Sequence, residues 1–249
     1  MPPSGAVVID PRFQGIPQIA LGGYVGGLRA GGLTGAEAVF RRPVPLGRRL
    51  RVEELDGQET ALLDGPDLLV KVRPSRVDVR VPPTVTFDES EAARRAYPGF
   101  SRHPFPNCFT CGPERGESDG LRIFAGPVAG REIVASPWTP NQSLAAGSAG
   151  VAGEYLWSAL DCPSIWAVVM QEPIDSSQRG ASGRLAVHQT APVMPREPHI
   201  VMGWAIGRDE RTRTGGAAIL SATGEMCAVA RHTLVVTDWG VPLSPSAWK

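Results

Sequence analysis

The sequence predicts an α+β fold in which an antiparallel sheet wraps around a central helix, and it predicts this unit twice. In each half of the chain, a helical segment is followed by short apolar runs that turn-forming residues separate. The two halves also share a local pattern, because Phe40–Leu46 (FRRPVPL) corresponds to Gln189–Pro195 (QTAPVMP). With 249 residues and 42% hydrophobic content, the chain is long enough for two such units. We predict an N-terminal half at 1–88, a linker at 89–119 and a C-terminal half at 120–249.

The first half begins with a strand and a helix. Ala6–Ile9 is a short apolar run typical of a strand. Residues 19–32 contain six glycines, which normally oppose a helix. Leu21, Val25 and Leu28 nevertheless keep helical spacing, and glycines let a second backbone come very close. We therefore predict a buried, tightly packed helix here.

A meander of strands follows this helix. Arg49–Leu55 alternates between apolar and polar residues, and Asp56-Gly57 forms a hairpin turn after it. A second turn lies at Asp64-Gly65-Pro66. The predicted strands are 36–43, 49–55, 59–63 and 68–72.

The linker contains a short charged helix near 88–95 and the sequence Cys108-Phe-Thr-Cys111-Gly112. This Cys-x-x-Cys spacing is that of a metal knuckle, but a structural zinc site needs four ligands. His103 and Cys162 are the residues that would complete the set. The simpler interpretation is a pair of reduced thiols, and we expect no metal or cofactor.

The second half repeats the pattern, with strands predicted at 121–124, 132–135, 184–192, 199–206, 216–221 and 227–236. Its helix is predicted at 150–161, ended by Pro163. One face of this helix is apolar, and Glu154, Ser158 and Asp161 share the other side. Such a stripe is either a solvated surface or a site within the core.

Charge and hydropathy exclude two classes of partner. The 25 basic residues balance the 25 acidic ones, so there is no basic surplus for a phosphate backbone, and we expect no nucleic-acid partner. No apolar run approaches the length of a membrane span, and the N-terminus lacks a signal pattern. We therefore expect a cytoplasmic protein without a membrane partner.

Three motifs resemble those of one enzyme group. Leu21–Gly27 (LGGYVGG) is similar to a Phe-Gly-Gly-Gln-Val-Val-Gly motif, and Phe40–Pro43 (FRRP) is similar to Phe-Leu-Arg-Pro. Leu160-Asp161 resembles a Ser-Asp pair at the end of a helix. These motifs, in this order, resemble the acyl-CoA thioesterase II group of the thioesterase-like hotdog superfamily. The resemblance implies a double hotdog fold, with the sheet-and-helix unit present twice.

The resemblance also implies a site. In that group an Asp on the second helix, a hydroxyl residue and a Gln hold the water that attacks a thioester. Matching positions places the Asp at Asp161, the hydroxyl at or near Ser182 and the Gln at His232. An imidazole in place of an amide is a departure, because it titrates near neutral pH.

Backbone amides at glycine-rich helix starts are candidate oxyanion donors, which points to Gly22, Gly23 and Gly150. Glu154 is the alternative carboxylate. The resemblance therefore implies hydrolysis of an acyl-CoA or acyl-carrier thioester by water.

Two other functions remain open from the sequence. One is a non-catalytic acyl-binding protein, since the first helix lacks any acidic residue and at most one of the two equivalent sites is expected to act. The other is a dehydratase or hydratase, for which His103 and Glu154 are the candidate pair. A homo-oligomer of double hotdogs is also possible.

Overall fold

A computed structural model describes residues 5–148, 150–171 and 178–242. In these residues the chain forms one large antiparallel sheet and a few helices. The elements in chain order are β1 (Gly5–Val8), α1 (Gly22–Ala30), β2 (Gly35–Phe40), β3 (Arg49–Glu54), β4 (Thr60–Asp64), β5 (Asp67–Pro74), α2 (Phe87–Arg95), β6 (Gly126–Pro127), β7 (Val134–Trp138), α3 (Gly153–Gln171), β8 (Arg179–Gln189), β9 (His199–Arg208), β10 (Thr212–Ser221), β11 (Met226–Thr237) and β12 (Val241–Pro242). The prediction of an α+β fold is confirmed.

The sheet joins the two parts of the chain at one seam. Its strand order is β1-β3-β4-β5-β2-β8-β11-β10-β9-β7-β6, and β12 pairs with β8. At the seam β2 pairs with β8 from Gly35↔His188 to Val39↔Arg184. Outward from it, the order is β2, β5, β4, β3, β1 on one side and β8, β11, β10, β9, β7 on the other. Strands that occupy equivalent places in the two meanders therefore occupy equivalent places in the sheet.

The alternation that predicts the meander is visible in its burial. In β3, Leu50 and Val52 are buried while Arg49 and Arg51 are exposed, as expected for a strand with one solvated face. In β10, by contrast, every residue from Arg213 to Leu220 is buried, because both faces are covered.

Helices α1 and α3 pack against each other and against the sheet. A Cβ at Gly23 would lie 2.6 Å from the Trp157 carbonyl oxygen, and one at Gly27 would lie 2.4 Å from that of Gly153. The two helices therefore run in opposite directions. The glycines allow this close approach, as the sequence predicts, because any side chain there would push the helices apart.

The prediction that Pro163 ends the second helix is wrong, because α3 continues through it to Gln171. A proline inside a helix costs about 3 kcal/mol. Beyond it, however, Trp166, Val168 and Val169 are all buried. Each such side chain contributes roughly 1.5–3 kcal/mol when it is buried, which outweighs the cost of the proline. Asp161 therefore lies in the middle of a long core helix and not at its end.

The strand predicted at 121–124 is also wrong, although Leu121, Ile123 and Phe124 are buried as a core strand would be. The amides of Leu121 and Ile123 donate to the carbonyls of Phe109 and Thr110, which lie in a loop. Arg122 has a φ of 55°, which interrupts extended backbone. This segment therefore pairs with the cysteine loop and not with the sheet.

Helix α2 begins with a capping box, in which Thr86 and Glu89 bond each other's backbone amides. Its Ala93 lies in a second apolar cluster with Ile133 and Met202, on the opposite face of the second half-sheet from α3. The predicted boundary at residue 88 falls within this helix. None of the helices in the described ranges is both long and apolar enough for a membrane span.

Candidate active site

Asp161 occupies a buried position between the two central helices. Only 1% of its surface is exposed, and its Oδ2 accepts a hydrogen bond of 2.6 Å from the Gly23 amide at the start of α1. Its Oδ1 is buried without a hydrogen-bond partner among the described residues. Burial raises the pKa of Asp161 to about 7, although the Gly23 amide opposes this rise. The carboxyl group therefore titrates near neutral pH.

His232 on β11 connects two hydroxyl groups beside this carboxylate. Its Nδ1 lies 2.9 Å from Ser164 Oγ, and its Nε2 lies 3.0 Å from Ser182 Oγ. The Ser164 hydroxyl donates a hydrogen bond to the Asp161 carbonyl at 2.6 Å. Its oxygen can therefore accept a hydrogen bond from the Nδ1–H group of His232. This assignment leaves Nε2 as the acceptor for the Ser182 hydroxyl.

The imidazole is neutral at physiological pH. Burial lowers the pKa of His232 to about 4, and its hydrogen bond with the Asp161 backbone only partly opposes this effect. Its Nδ1 lies 3.5 Å from Asp161 Oδ1, within the range of an ion pair. Because His232 is uncharged at pH 7, this contact is not an ion pair. The ring therefore acts as a hydrogen-bond relay between the serines.

A cavity of about 320 Å³ opens beside Asp161 and Ser182. Most of its lining is apolar, and it includes Ile16, Phe40, Ile165, Trp166, Val169 and Leu234. Gly22 marks the point where the polar groups meet, since a Cβ there would lie 3.3 Å from Ser182 Oγ and 3.4 Å from Asp161 Oδ2. An apolar cavity with a few convergent polar groups is typical of a small-molecule site.

The structure brings together most of the predicted site residues and separates the rest. Asp161, Ser182 and His232 form one network, with Gly22 and Gly23 beside it. The other two candidates, Glu154 and Gly150, belong neither to this network nor to the cavity lining. Gly150 packs against the Val193 carbonyl, and Glu154 lies at the far end of the helix pair, where α1 reaches Gly27. His103 lines the cavity and Glu154 does not, so the structure does not bring together the pair suggested for a dehydratase.

Ser164 and Trp166 are site residues that the sequence analysis missed. Both follow Pro163, where the helix was predicted to end, so neither was placed on the same helix as Asp161. Ser164 lies three residues after Asp161, a spacing that puts the two on the same side of a helix. That spacing was the available signal for Ser164.

One cluster in the described residues has the composition of a metal site. The sulfur atoms of Cys108, Cys111 and Cys162 lie within 4.8 Å of one another, and all three side chains are buried. Cys227, the fourth cysteine, lies on β11, and all four are free thiols. Cys108, Cys111 and Cys162 also line the cavity.

Comparison with known proteins finds this fold among solved structures. No protein-family model matches the sequence, and no curated protein does. Among solved structures, a candidate thioesterase of Novosphingobium aromaticivorans is similar, with a TM-score of 0.60, 13% identity, and coverage of 93% of this chain and 94% of that one. A candidate thioesterase II of Thermobifida fusca has a TM-score of 0.56 and 16% identity, over 93% and 91% of the two chains.

The resemblance to the thioesterase II group is confirmed in the fold. The tesB protein of Mycobacterium avium subspecies paratuberculosis is also similar, with a TM-score of 0.54, 12% identity and coverage of 88% of both chains. At these identities the likeness concerns the course of the backbone. The chemistry of this chain therefore has to be argued from its own residues.

Proposed function

We propose that the chain is a thioesterase that hydrolyses an acyl-CoA or acyl-carrier thioester by direct attack of water. The observation that carries this proposal is the network of Asp161, Ser182 and His232, in which Asp161 and Ser182 line an apolar cavity and His232 lies behind them. An apolar cavity suits an acyl chain, and a carboxyl group that titrates near pH 7 suits a general base.

We also infer that the chain is a double hotdog, with halves close to the predicted 1–88 and 120–249; the linker predicted at 89–119 has to begin before α2, which a boundary at 88 would divide. The equivalent strand orders on the two sides of the β2–β8 seam support this division. A helix lies in each half, and the two helices meet at the site. In this arrangement α1 supplies amides, and α3 supplies the acid.

The hydrogen bonds suggest how water is held. Because the Ser182 hydroxyl donates its hydrogen bond to His232, the Ser182 oxygen can accept a hydrogen bond from water. Asp161 Oδ2, which borders the same space above Gly22 as Ser182 Oγ, can accept the second hydrogen bond of the water, since a carboxylate oxygen has a lone pair besides the one that the Gly23 amide uses. A water held by both acceptors presents its lone pair to a carbonyl carbon in the cavity.

The reaction then proceeds in two steps. The water oxygen bonds to the thioester carbon as Asp161 takes a proton, which gives a tetrahedral intermediate. When the C–S bond breaks, the same proton passes to the thiolate, and a carboxylic acid and a thiol leave. The Gly22 amide, the first of α1, points from the positive end of the helix dipole and is the candidate donor to the oxyanion.

Thiol release from a panel of acyl-CoA substrates tests this function. We expect Asp161→Asn to lower kcat/KM by about 10²–10⁴-fold, the range that general-base catalysis contributes. Glu154→Gln is the matched control, because it changes a carboxylate on the same helix outside the cavity. Substrate binding without turnover by the wild type would favour the non-catalytic acyl-binding alternative. Loss of activity in Glu154→Gln alone would move the base to that residue.

A second pair of variants tests His232. The proposed role of the ring is to accept a hydrogen bond from the Ser182 hydroxyl. A glutamine can fill this role, because its amide oxygen is also an acceptor. We expect His232→Gln to lose about tenfold or less in kcat/KM, while His232→Leu loses about 100-fold. Equal losses in both would show that the imidazole itself transfers the proton.

A further inference from the structure

Three cysteines converge from two distant parts of the chain. Cys108 and Cys111 lie in the loop after α2, and Cys162 lies on α3 next to Asp161. The sulfurs of Cys108 and Cys162 are 3.6 Å apart, and each of the three residues is at least 96% buried. Buried thiols that gather in this way are a feature that thioester hydrolysis does not use.

The separation of two of these sulfurs matches that in a tetrahedral metal site, and all three lie within 4.8 Å of one another. With Zn–S bonds of about 2.3 Å, the sulfurs of such a site lie about 3.8 Å apart. A disulfide would instead require a separation of about 2.05 Å between the two sulfur atoms. The observed 3.6 Å between Cys108 and Cys162 is therefore close to the edge of a zinc tetrahedron.

The loop that carries two of these cysteines is held in place by its own contacts. The Gly112 amide donates to the Cys108 carbonyl at 2.9 Å, which closes the Cys-x-x-Cys turn. A Cβ at Gly112 would lie 2.4 Å from the Pro106 carbonyl oxygen, so the turn requires glycine. Thr110 donates to the Ser158 carbonyl of α3 at 2.9 Å, and Tyr97 donates to the Cys111 carbonyl at 3.0 Å. The ligand set is thus preorganised against the helix.

His103 lies beside this cluster, but its ring is oriented as a donor. Its Nδ1 accepts the Phe105 amide at 2.9 Å, so the proton of the neutral ring is on Nε2. Nε2 lies 3.4 Å from Cys111 Sγ and donates to it. His103 therefore supports a sulfur ligand from outside, as a hydrogen-bond partner of a metal ligand does.

We propose that Cys108, Cys111 and Cys162 bind one Zn²⁺ ion, with the fourth coordination position facing the cavity. All three cysteines line that cavity, so a water or a substrate atom can complete the tetrahedron. The ion would tie the loop to α3 at the residue that follows Asp161. This proposal does not depend on thioester hydrolysis, because it rests on the ligands alone.

Metal analysis of the purified full chain tests the site. Protein produced with added zinc, then dialysed against metal-free buffer, should retain one zinc per chain by plasma mass spectrometry. Cys162→Ser should lose it, whereas Cys227→Ser should keep it, because Cys227 is a buried free cysteine outside the cluster. His103→Gln should keep the stoichiometry with an affinity lower by about 10–100-fold. Zinc retained by Cys162→Ser, or lost entirely by His103→Gln, would overturn the three-sulfur ligand set.

A measurement on the wild type avoids variants that fail to fold. Stepwise modification of the thiols with an organomercurial should release zinc to a coloured chelator in proportion to the modification of three thiols. Adding Zn²⁺ to the metal-free chain in weakly buffered solution should release protons, because thiols lose them when they bind the metal. A wild-type chain that binds no zinc, or that contains a Cys108–Cys162 disulfide by mass spectrometry, would refute the proposal.

Discussion

Helix α1 has nine residues, four of them glycine and none acidic, whereas α3 has nineteen and carries both Glu154 and Asp161. Their contributions to the site differ accordingly. α1 provides the Gly23 amide and the space above Gly22, while α3 provides the carboxylate. The N-terminal half instead buries Arg29, whose Nε and Nη2 have no hydrogen-bond partner in the described part of the chain. The comparison indicates one candidate site in the described part of the chain, built from both helices.

The largest expected effect concerns the cost of burying the Asp161 carboxylate. Its folded pKa of about 7 lies above the ordinary 3.8, so between these values the native state binds a proton that the unfolded state does not. This contribution to stability is therefore lost as pH rises through that window. At about 1.4 kcal/mol per pKa unit, ionisation above pH 7 costs about 4 kcal/mol, which Asp161→Asn should recover.

Urea unfolding at pH 4.5 and pH 8 measures this difference, with Glu154→Gln as the control. His232 contributes with the opposite sign, because its folded pKa of about 4 lies below the ordinary 6.5. In Asp161→Asn this contribution remains, so stability should rise with pH between about 4 and 6.5. A variant that gains no more at pH 8 than at pH 4.5 would contradict the assignment.

A side chain at Gly23 should separate the two helices. The added Cβ would lie 2.6 Å from the Trp157 carbonyl and 2.9 Å from Asp161 Cβ. We expect Gly23→Ala to lower the free energy of unfolding by about 1–3 kcal/mol, despite the higher helix propensity of alanine. Gly32→Ala is the control, because a Cβ there has no neighbour within 4 Å. Equal stability of the two variants in urea would show that the helix contact is not tight.

A side chain at Gly22 should affect chemistry more than stability. Its Cβ would approach Ser182 Oγ, Phe40 Cζ and Asp161 Oδ2 at 3.3–3.4 Å, distances that require only small shifts. We expect Gly22→Ala to lower kcat/KM for thiol release about tenfold, or about 1.4 kcal/mol, with nearly unchanged unfolding. Unchanged kinetics would mean that water is held elsewhere in the cavity.

The smallest effect is expected for Arg29 in the N-terminal half, whose helix α1 carries no acidic residue. Burial lowers the pKa of Arg29, although the charge of Glu54 opposes this effect, and two of its nitrogens have no hydrogen-bond partner among the described residues. Arg29→Met fills the same space without the charge, and we expect the free energy of unfolding to stay equal or rise by about 1 kcal/mol. Thiol release should not change. A large loss of stability, measured by urea unfolding, would reveal that the guanidinium is bonded in solution.

The sequence predicted most of the strands and named three residues of the network, but for different reasons. Alternation in segments such as Arg49–Glu54 follows directly from burial of one face. Asp161, Ser182 and His232 are 71 residues apart at most and share no local pattern, so only the resemblance connected them.

The errors arose where tertiary packing overrides local preference. The burial of Trp166 and Val169 carries α3 past Pro163, and the left-handed Arg122 diverts an apolar segment to a loop. The path of the cysteine loop also depends on tertiary contacts, such as the bond from Thr110 to the Ser158 carbonyl. Sequence spacing alone therefore named the cysteines without deciding which would meet.

The β2–β8 seam has a consequence for how the chain refolds. Its first pair, Gly35 and His188, lies far apart in sequence, so closing it carries a large entropic cost. On each side of the seam, the hairpins β3–β4–β5 and β9–β10–β11 are local and form quickly. Because the site uses α1 from one side of the seam and β8 and β11 from the other, its assembly must wait for the slower step. In a refolding experiment, thiol release should therefore recover after the far-ultraviolet circular dichroism signal has returned.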